Sequence, residues 1–143
     1  MPGTGKTFDV SLVTPDGAVY EGEVEMIIVP GQIGEIGVLA RHAPLIATLK
    51  AGSTRVFVGD GADVVEYATG PGFFQMLENR AIALVDAAVE ASQIDDAAAR
   101  AQLEAAQAEL EAIERGDSTA DRWQIEQRIR HAENQLSVAG RGQ

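Results

Sequence analysis

The sequence predicts an α+β chain in two parts, an antiparallel β-sandwich or barrel over residues 1–91 and an antiparallel αα-hairpin over residues 92–143. Three observations predict it. Short apolar stretches with period-two alternation run from Phe8 to about Asp86, broken at close intervals by turn residues. Near Ser92 the composition shifts to Ala, Glu, Gln and Arg, all strong helix formers, and the apolar period shifts with it. Gly116 then interrupts the helical pattern once, with a second stripe beyond it.

The elements follow in order. Phe8, Val10 and Leu12 alternate with Asp9 and Ser11, which sets one side of a strand on a core and the other in water. Val24, Met26 and Ile28 alternate with Glu23 and Glu25, and Ile27 and Val29 then make that segment apolar on both faces. Further strands are expected at Leu45–Thr48, Thr54–Val58, Val64–Ala68, Phe73–Leu77 and Ala81–Val85. The separators Pro15-Asp16-Gly17, Pro30-Gly31, Gly59-Asp60-Gly61, Gly70-Pro71-Gly72 and Glu78-Asn79 have turn chemistry, because glycine supplies positive φ and proline presets the turn.

In the second part, Ser92-Gln93-Ile94-Asp95 has capping-box spacing, with aspartate in the usual glutamate place. Leu103, Ala106, Leu110 and Ile113 make the first helical stripe. Ser118-Thr119-Ala120-Asp121 repeats the cap spacing, and Ile125, Ile129, Ala132 and Leu136 make the second. Both stripes are narrow and rich in alanine, which suits two helices packed closely on each other. The tail Val138–Gln143 is expected to fray.

Composition narrows the function. The chain has 143 residues, 45% of them hydrophobic, which fits a globular protein. Its net charge of −11 repels phosphate backbones and argues against nucleic-acid binding. Cysteine is absent, which excludes thiolate chemistry and a disulfide scaffold. No apolar run approaches the roughly 18 to 20 residues that span a bilayer. Met1–Thr7 is small and polar, without the apolar centre of a signal peptide, so a cytoplasmic location is expected.

No catalytic constellation emerges. Gly3-Thr4-Gly5-Lys6-Thr7 looks like the end of a P-loop, but that motif needs a helix after it and a strand is predicted there; a disordered lead is expected instead. His131 reads as a solvated helix residue, and His42 has no companions at metal-ligand spacing. The segment from Val29 to Leu45 stands apart. Three glycines between Gly31 and Gly37 flank Ile33 and Glu35, and His42 precedes a rigid Ala43-Pro44. On sequence alone it reads as a loop, with a β-bulge and tight turns at a sheet corner as the structural explanation.

That segment carries a family resemblance. Val29-Pro30-Gly31-Gln32-Ile33-Gly34-Glu35-Ile36-Gly37, followed by His42-Ala43-Pro44-Leu45, resembles the pattern V-x-G-x-x-G-E-x-G then H-x-P-L of the epsilon subunit of the bacterial F-type (rotary) ATP synthase. Phe8-Asp9-Val10, Gly22-Glu23-Val24 and Gly70-Pro71-Gly72-Phe73 are similar to the family as well, in the same order.

The resemblance implies a sandwich of about ten strands followed by two helices. It implies a non-catalytic rotor subunit of the central stalk, bound to the gamma subunit and the c-ring of a proton-translocating synthase. The place implied is the cytoplasmic face of the cell inner membrane, peripheral to it. Gly34, Glu35, His42 and Pro44 match the positions of the loop facing the c-ring. The family's hairpin can extend toward the alpha/beta catalytic head and inhibit ATP hydrolysis. Some members bind regulatory ATP through an [I/L]-D-x-x-R-A motif, which would place Asp95, Asp96 and Arg100 here, with Arg122 from the second helix. This chain departs from that motif: Arg100 comes two residues late, and residues five apart diverge by roughly 140° around a helix. No other cofactor is implied. The alternative from a different class is a free-standing β-sandwich ligand-binding module with a helical oligomerisation tail. It would need a pocket lined with aromatics, and the chain has only four Phe, two Tyr and one Trp.

Overall fold

A computed structural model describes residues 6–59 and 63–141. The chain divides after Glu90 into a β unit and a helical unit. The β unit has ten strands: β1 (Phe8–Thr14), β2 (Gly17–Val24), β3 (Met26–Gly31), β4 (Gly34–Leu39), β5 (Leu45–Leu49), β6 (Gly52–Val58), β7 (Asp63–Thr69), β8 (Gly72–Leu77), β9 (Arg80–Val85) and β10 (Ala88–Glu90). They form one sheet in the order β10-β7-β6-β3-β5-β8-β9-β1-β2, with β4 paired to β3 off that path. β3 is the branch point. Met26–Ile28 pair with β6, Gly31 pairs with Leu49 of β5, and the whole strand pairs with β4.

The sheet folds around one core. Phe8, Leu12, Ile27, Leu49, Phe74 and Met76 are its largest fully buried side chains. Each removes apolar area from water worth about 1.5–3 kcal/mol.

Several expectations change on the structure. The sheet is not purely antiparallel, because β1 and β9 run parallel from Asp9↔Arg80 to Val13↔Leu84. The segment expected to be a loop contains β4, a full strand whose glycines remove the apolar alternation that would have announced it. The alternation through Glu25 also breaks. Glu25 is buried between β2 and β3, and its N–H donates to the Phe57 carbonyl at 2.7 Å. The inward row therefore passes from Val24 to Ile27 and Val29.

The helical unit holds α1 (Asp96–Glu114) and α2 (Arg122–Arg141), packed on each other, and α2 also touches a 3-10 turn at Ala91–Gln93. Ala99 and Ala106 of α1 and Ile125, Ala132, Val138 and Ala139 of α2 are the unit's buried side chains. The caps differ from expectation. Ser92 lies in the 3-10 turn, and Asp95 caps α1 by accepting from Ala98 N–H at 3.0 Å. At the second helix Asp121 rather than Ser118 takes that role, accepting from Trp123 N–H at 2.9 Å. In both cases an aspartate stands nearer the first helical turn and reaches its free amides.

Gly116 ends α1 as expected, with φ +80. Its N–H donates to Ile113 O and that of Asp117 to Ala112 O, the paired bonds of a Schellman motif. The expected fraying after Val138 does not occur up to Arg141: Val138 and Ala139 are buried and α2 continues through them. Gly3–Gly5 of the lead, Asp60 and Gly61 of one predicted turn, and Gly142–Gln143 of the tail lie outside the described residues.

Candidate functional site

Gly31 and Gly34 close a tight hairpin between β3 and β4, and the two residues between them form its tip. Gly34 has φ +152, a conformation side chains rarely adopt. A Cβ on Gly31 would lie 2.7 Å from the Gly34 carbonyl. The tip is fastened to the neighbouring strand: Gln32 N–H donates to Thr48 O at 3.2 Å, and Lys50 N–H to Pro30 O at 2.9 Å. Ile33 at the tip is fully exposed, and beside it an open cleft of about 480 Å³ is lined by Gly31–Ile36, Ala47 and Thr48.

Glu35 opens β4 opposite Pro30. Its Oε2 accepts from Arg55 Nη2 on β6 at 2.7 Å. His42 lies beyond the other end of β4 and is exposed, with its Nδ1 donating to the Ala43 carbonyl at 2.7 Å and its N–H to Leu39 O. The four rise steps from Glu35 to Leu39 alone span about 13 Å. Gly34 and Glu35 therefore form one polar feature, and His42 and Pro44 another. They do not converge on a single small surface.

Asn79 secures the His42 end. Its Oδ1 accepts from Arg41 N–H at 2.7 Å and its Nδ2 donates to Thr7 O at 3.1 Å. Asn79 and Glu78 form the β8–β9 turn, both with positive φ, as hairpin turns of the primed types require. Sequence reasoning recognises Asn79 only as a turn former and does not single out Arg55, because one polar residue in an alternating strand carries no further signal.

The remaining candidates are in the helical unit. Asp95 is occupied as the α1 cap. Asp96 is half-buried and Arg100 exposed, both in the first turns of α1. Arg122 sits at the start of α2, where it bonds Glu126 at 2.9 Å and Glu114 at 3.3 Å. Those bonds raise its pKa, the hydrogen bond to Glu126 first. Glu114 closes α1, about 27 Å of helix from Asp96. Arg122 is thus at the opposite end of the hairpin from Arg100. Arg128 is likewise matched, to Glu109 at 2.5 Å. Among the described residues no group of His, Asp and Glu is placed to hold a metal ion, and no helix is long and apolar enough to cross a membrane. Burial raises the phenols of Tyr20 and Tyr67, with the Glu90 carboxylate adding to the second.

One face of the sheet carries exposed apolar side chains. On the outer face of β5, β8, β9 and β1, Thr48, Phe73, Leu84 and Val13 stand directly across from one another, and Ile46, Gln75, Ile82 and Ser11 form the next row. Ile46 is 77% exposed, Phe73 60% and Leu84 52%. Contiguous apolar side chains in water on a sheet face mark an interaction surface.

The comparisons agree with this architecture. The family model described as "ATP synthase, Delta/Epsilon chain, beta-sandwich domain" matches residues 7–91. The chain belongs to the ATP synthase delta/epsilon family. The ATP synthase epsilon chain of Halalkalibacterium halodurans is 39% identical over 135 residues, covering 94% of this chain and 98% of that one. The epsilon chain of Rubrobacter xylanophilus is 37% identical over 144 residues, covering 99% and 97%. A chain in the Euglena gracilis mitochondrial ATP synthase structure of OSCP, F1 and c-ring shares the fold at TM-score 0.73 and 23% identity, covering 92% of this chain and 81% of that one. The likeness to the epsilon chains thus extends through the helical hairpin, beyond the sandwich that the family model matches.

Proposed function

We propose that this family member is a non-catalytic subunit of the central stalk of a proton-translocating ATP synthase. Its sandwich joins the gamma subunit to the c-ring. The observation that carries the reading is the exposed apolar face of β5, β8 and β9, on a chain that aligns with epsilon chains over nearly its whole length. The gamma subunit covers that face. The Gly34–Glu35 end of the β3–β4 hairpin meets the ring, and the His42 end belongs to the stalk side. Such a clamp has to be rigid, and the hydrogen bonds from Gln32 and Lys50 pin the hairpin to β5. The subunit lies at the cytoplasmic face of the membrane, held there by its partners. The free-standing ligand-binding alternative is weaker, because the cleft beside Ile33 is open and has no aromatic lining.

Glu35→Lys tests the ring contact. Placed beside Arg55, the new cation loses an ion pair worth no more than about 1 kcal/mol at an exposed site, so the melting temperature falls by only a few degrees. ATP-driven proton pumping in membrane vesicles falls several-fold. Pumping at the original rate overturns the ring contact.

The hairpin restrains ATP hydrolysis by leaving its folded form and reaching the alpha/beta head. Four of its six buried side chains among the described residues are alanine, and the interhelical ion pairs of Arg122 and Arg128 are exposed, so only modest apolar burial opposes opening. The proposal needs no nucleotide, since Arg122 is already matched by two carboxylates. Deleting residues 92–143 leaves assembly intact and raises the ATPase rate of the complex; an unchanged rate removes the inhibitory role.

A further inference from the structure

We infer that Arg55 is a positioning residue for Glu35, and that the pair presents to the ring one aimed carboxylate oxygen, suited to a hydrogen-bond donor. The inference rests on the ring contact proposed above. Arg55 lies in the middle of β6, opposite Ile28 of β3 and Glu66 of β7. Glu35 lies on β4, at the other edge of β3. The 2.7 Å contact between Arg55 Nη2 and Glu35 Oε2 therefore reaches across β3 and ties two strands that do not pair with each other.

Stability does not explain this arginine. An ion pair whose side chains are 31% and 56% exposed contributes little to folding. Meanwhile Arg55 Nε is shut off from solvent without an acceptor, an arrangement that costs free energy. The neighbouring acid does not relieve it by an Nε bond: Glu66 accepts from Ser53 Oγ at 2.5 Å. The inner edge of the guanidinium is enclosed, and its outer edge points at the one carboxylate on the β3–β4 hairpin. A planar, donor-rich group held in this way aims its partner.

The consequence is chemical. Glu35 Oε2 is engaged, whereas Oε1 takes no protein donor among the described residues. Arg55 meets part of the charge of Glu35, and Glu66, directly across from Arg55 on β7, shares that cation. An N–H or O–H group of the ring fits such an acceptor, and the bond it makes to a carboxylate is charge-assisted.

The test titrates the full chain and its variants into ATP synthase depleted of this subunit, reading both the dissociation constant and ATP-driven pumping. Arg55→Gln weakens binding about fivefold, the scale of a coupled contact pair. Arg55→Lys, which keeps the charge but not the planar group, recovers only part of it. Arg55→Gln combined with Glu35→Gln is no worse than Glu35→Gln alone. Melting temperatures of all four variants stay within a few degrees of the original; if Arg55→Gln falls further, the comparison rests on Arg55→Lys and Glu35→Gln. Normal binding by Arg55→Gln, with Glu35→Lys defective, overturns the positioning role and leaves the ring contact standing. Additive effects of the two Gln substitutions overturn it too. Normal behaviour of Glu35→Lys overturns both.

Discussion

Gly72→Ala disrupts the sandwich. Gly72 begins β8, paired with Leu49 on one side and Val85 on the other. A Cβ built there lies 1.9 Å from the Leu84 carbonyl oxygen and 2.8 Å from Val85 Cα. Both are backbone atoms of β9, so no rotamer change relieves the clash. The β8–β9 ladder has to open at this end, next to the pairing of Phe74 with Ala83, both buried. The expected loss is about 3–5 kcal/mol, a large part of what a small domain has. For a unit of this size that is a fall in melting temperature of about 15–30 °C. Gly140→Ala is the control. Nothing described lies within 4 Å of its added Cβ, and alanine is the better helix former by about 1 kcal/mol. Thermal unfolding followed by circular dichroism separates the two. A melting temperature within 5 °C of the original for Gly72→Ala would show that β9 can yield there at little cost.

Gly72 also marks how far a sequence can be read. Its position in Gly70-Pro71-Gly72 advertises a turn; the chain only bends at Pro71, and the glycine is needed for backbone crowding where the next strand begins. The two-part organisation was legible because the apolar period changes near Ser92, and period reports which atoms one element can bury. Gly116 was legible because its stop is local, made of bonds to Ala112 and Ile113. β4 was not. Gly34 and Gly37 leave no alternation, and its pairing with β3 is a property of the hairpin as a whole. The same holds for the parallel pairing of β1 with β9, which joins segments far apart in the chain.

At the candidate site, the sequence singles out Glu35 and His42 as unusual positions and groups them on one surface. The strand between them, invisible in the pattern, is what sets them apart. Arg55 shows the converse: it meets Glu35 only because β3 places β4 and β6 on its two edges. Residue type suggests what a side chain can do, whereas partner choice waits on topology.

Topology likewise gathers the apolar face, since Phe73 and Leu84 come from different strands and face each other only in register. The double substitution Phe73→Thr with Leu84→Thr is expected to weaken docking to the gamma subunit severely without unfolding the sandwich. Threonine is a good strand former, and directly opposed threonines are a favourable cross-strand pair. Both side chains already stand more than half in water, so their removal leaves no cavity in the core around Phe74 and Met76. Stability therefore changes by about 1 kcal/mol or less. Binding loses two large apolar side chains from the middle of the face, about 2–4 kcal/mol together, or roughly 30- to 1,000-fold in Kd. Val64→Thr, on β7 with β6 and β3 between it and the two rows, alters binding little and is the matched control. The measurement is the Kd of the full chain for the gamma subunit, with melting temperature alongside. If the double variant binds as tightly as the original, the apolar face is not where the stalk docks, and the contact has to be sought at the His42 end of β4.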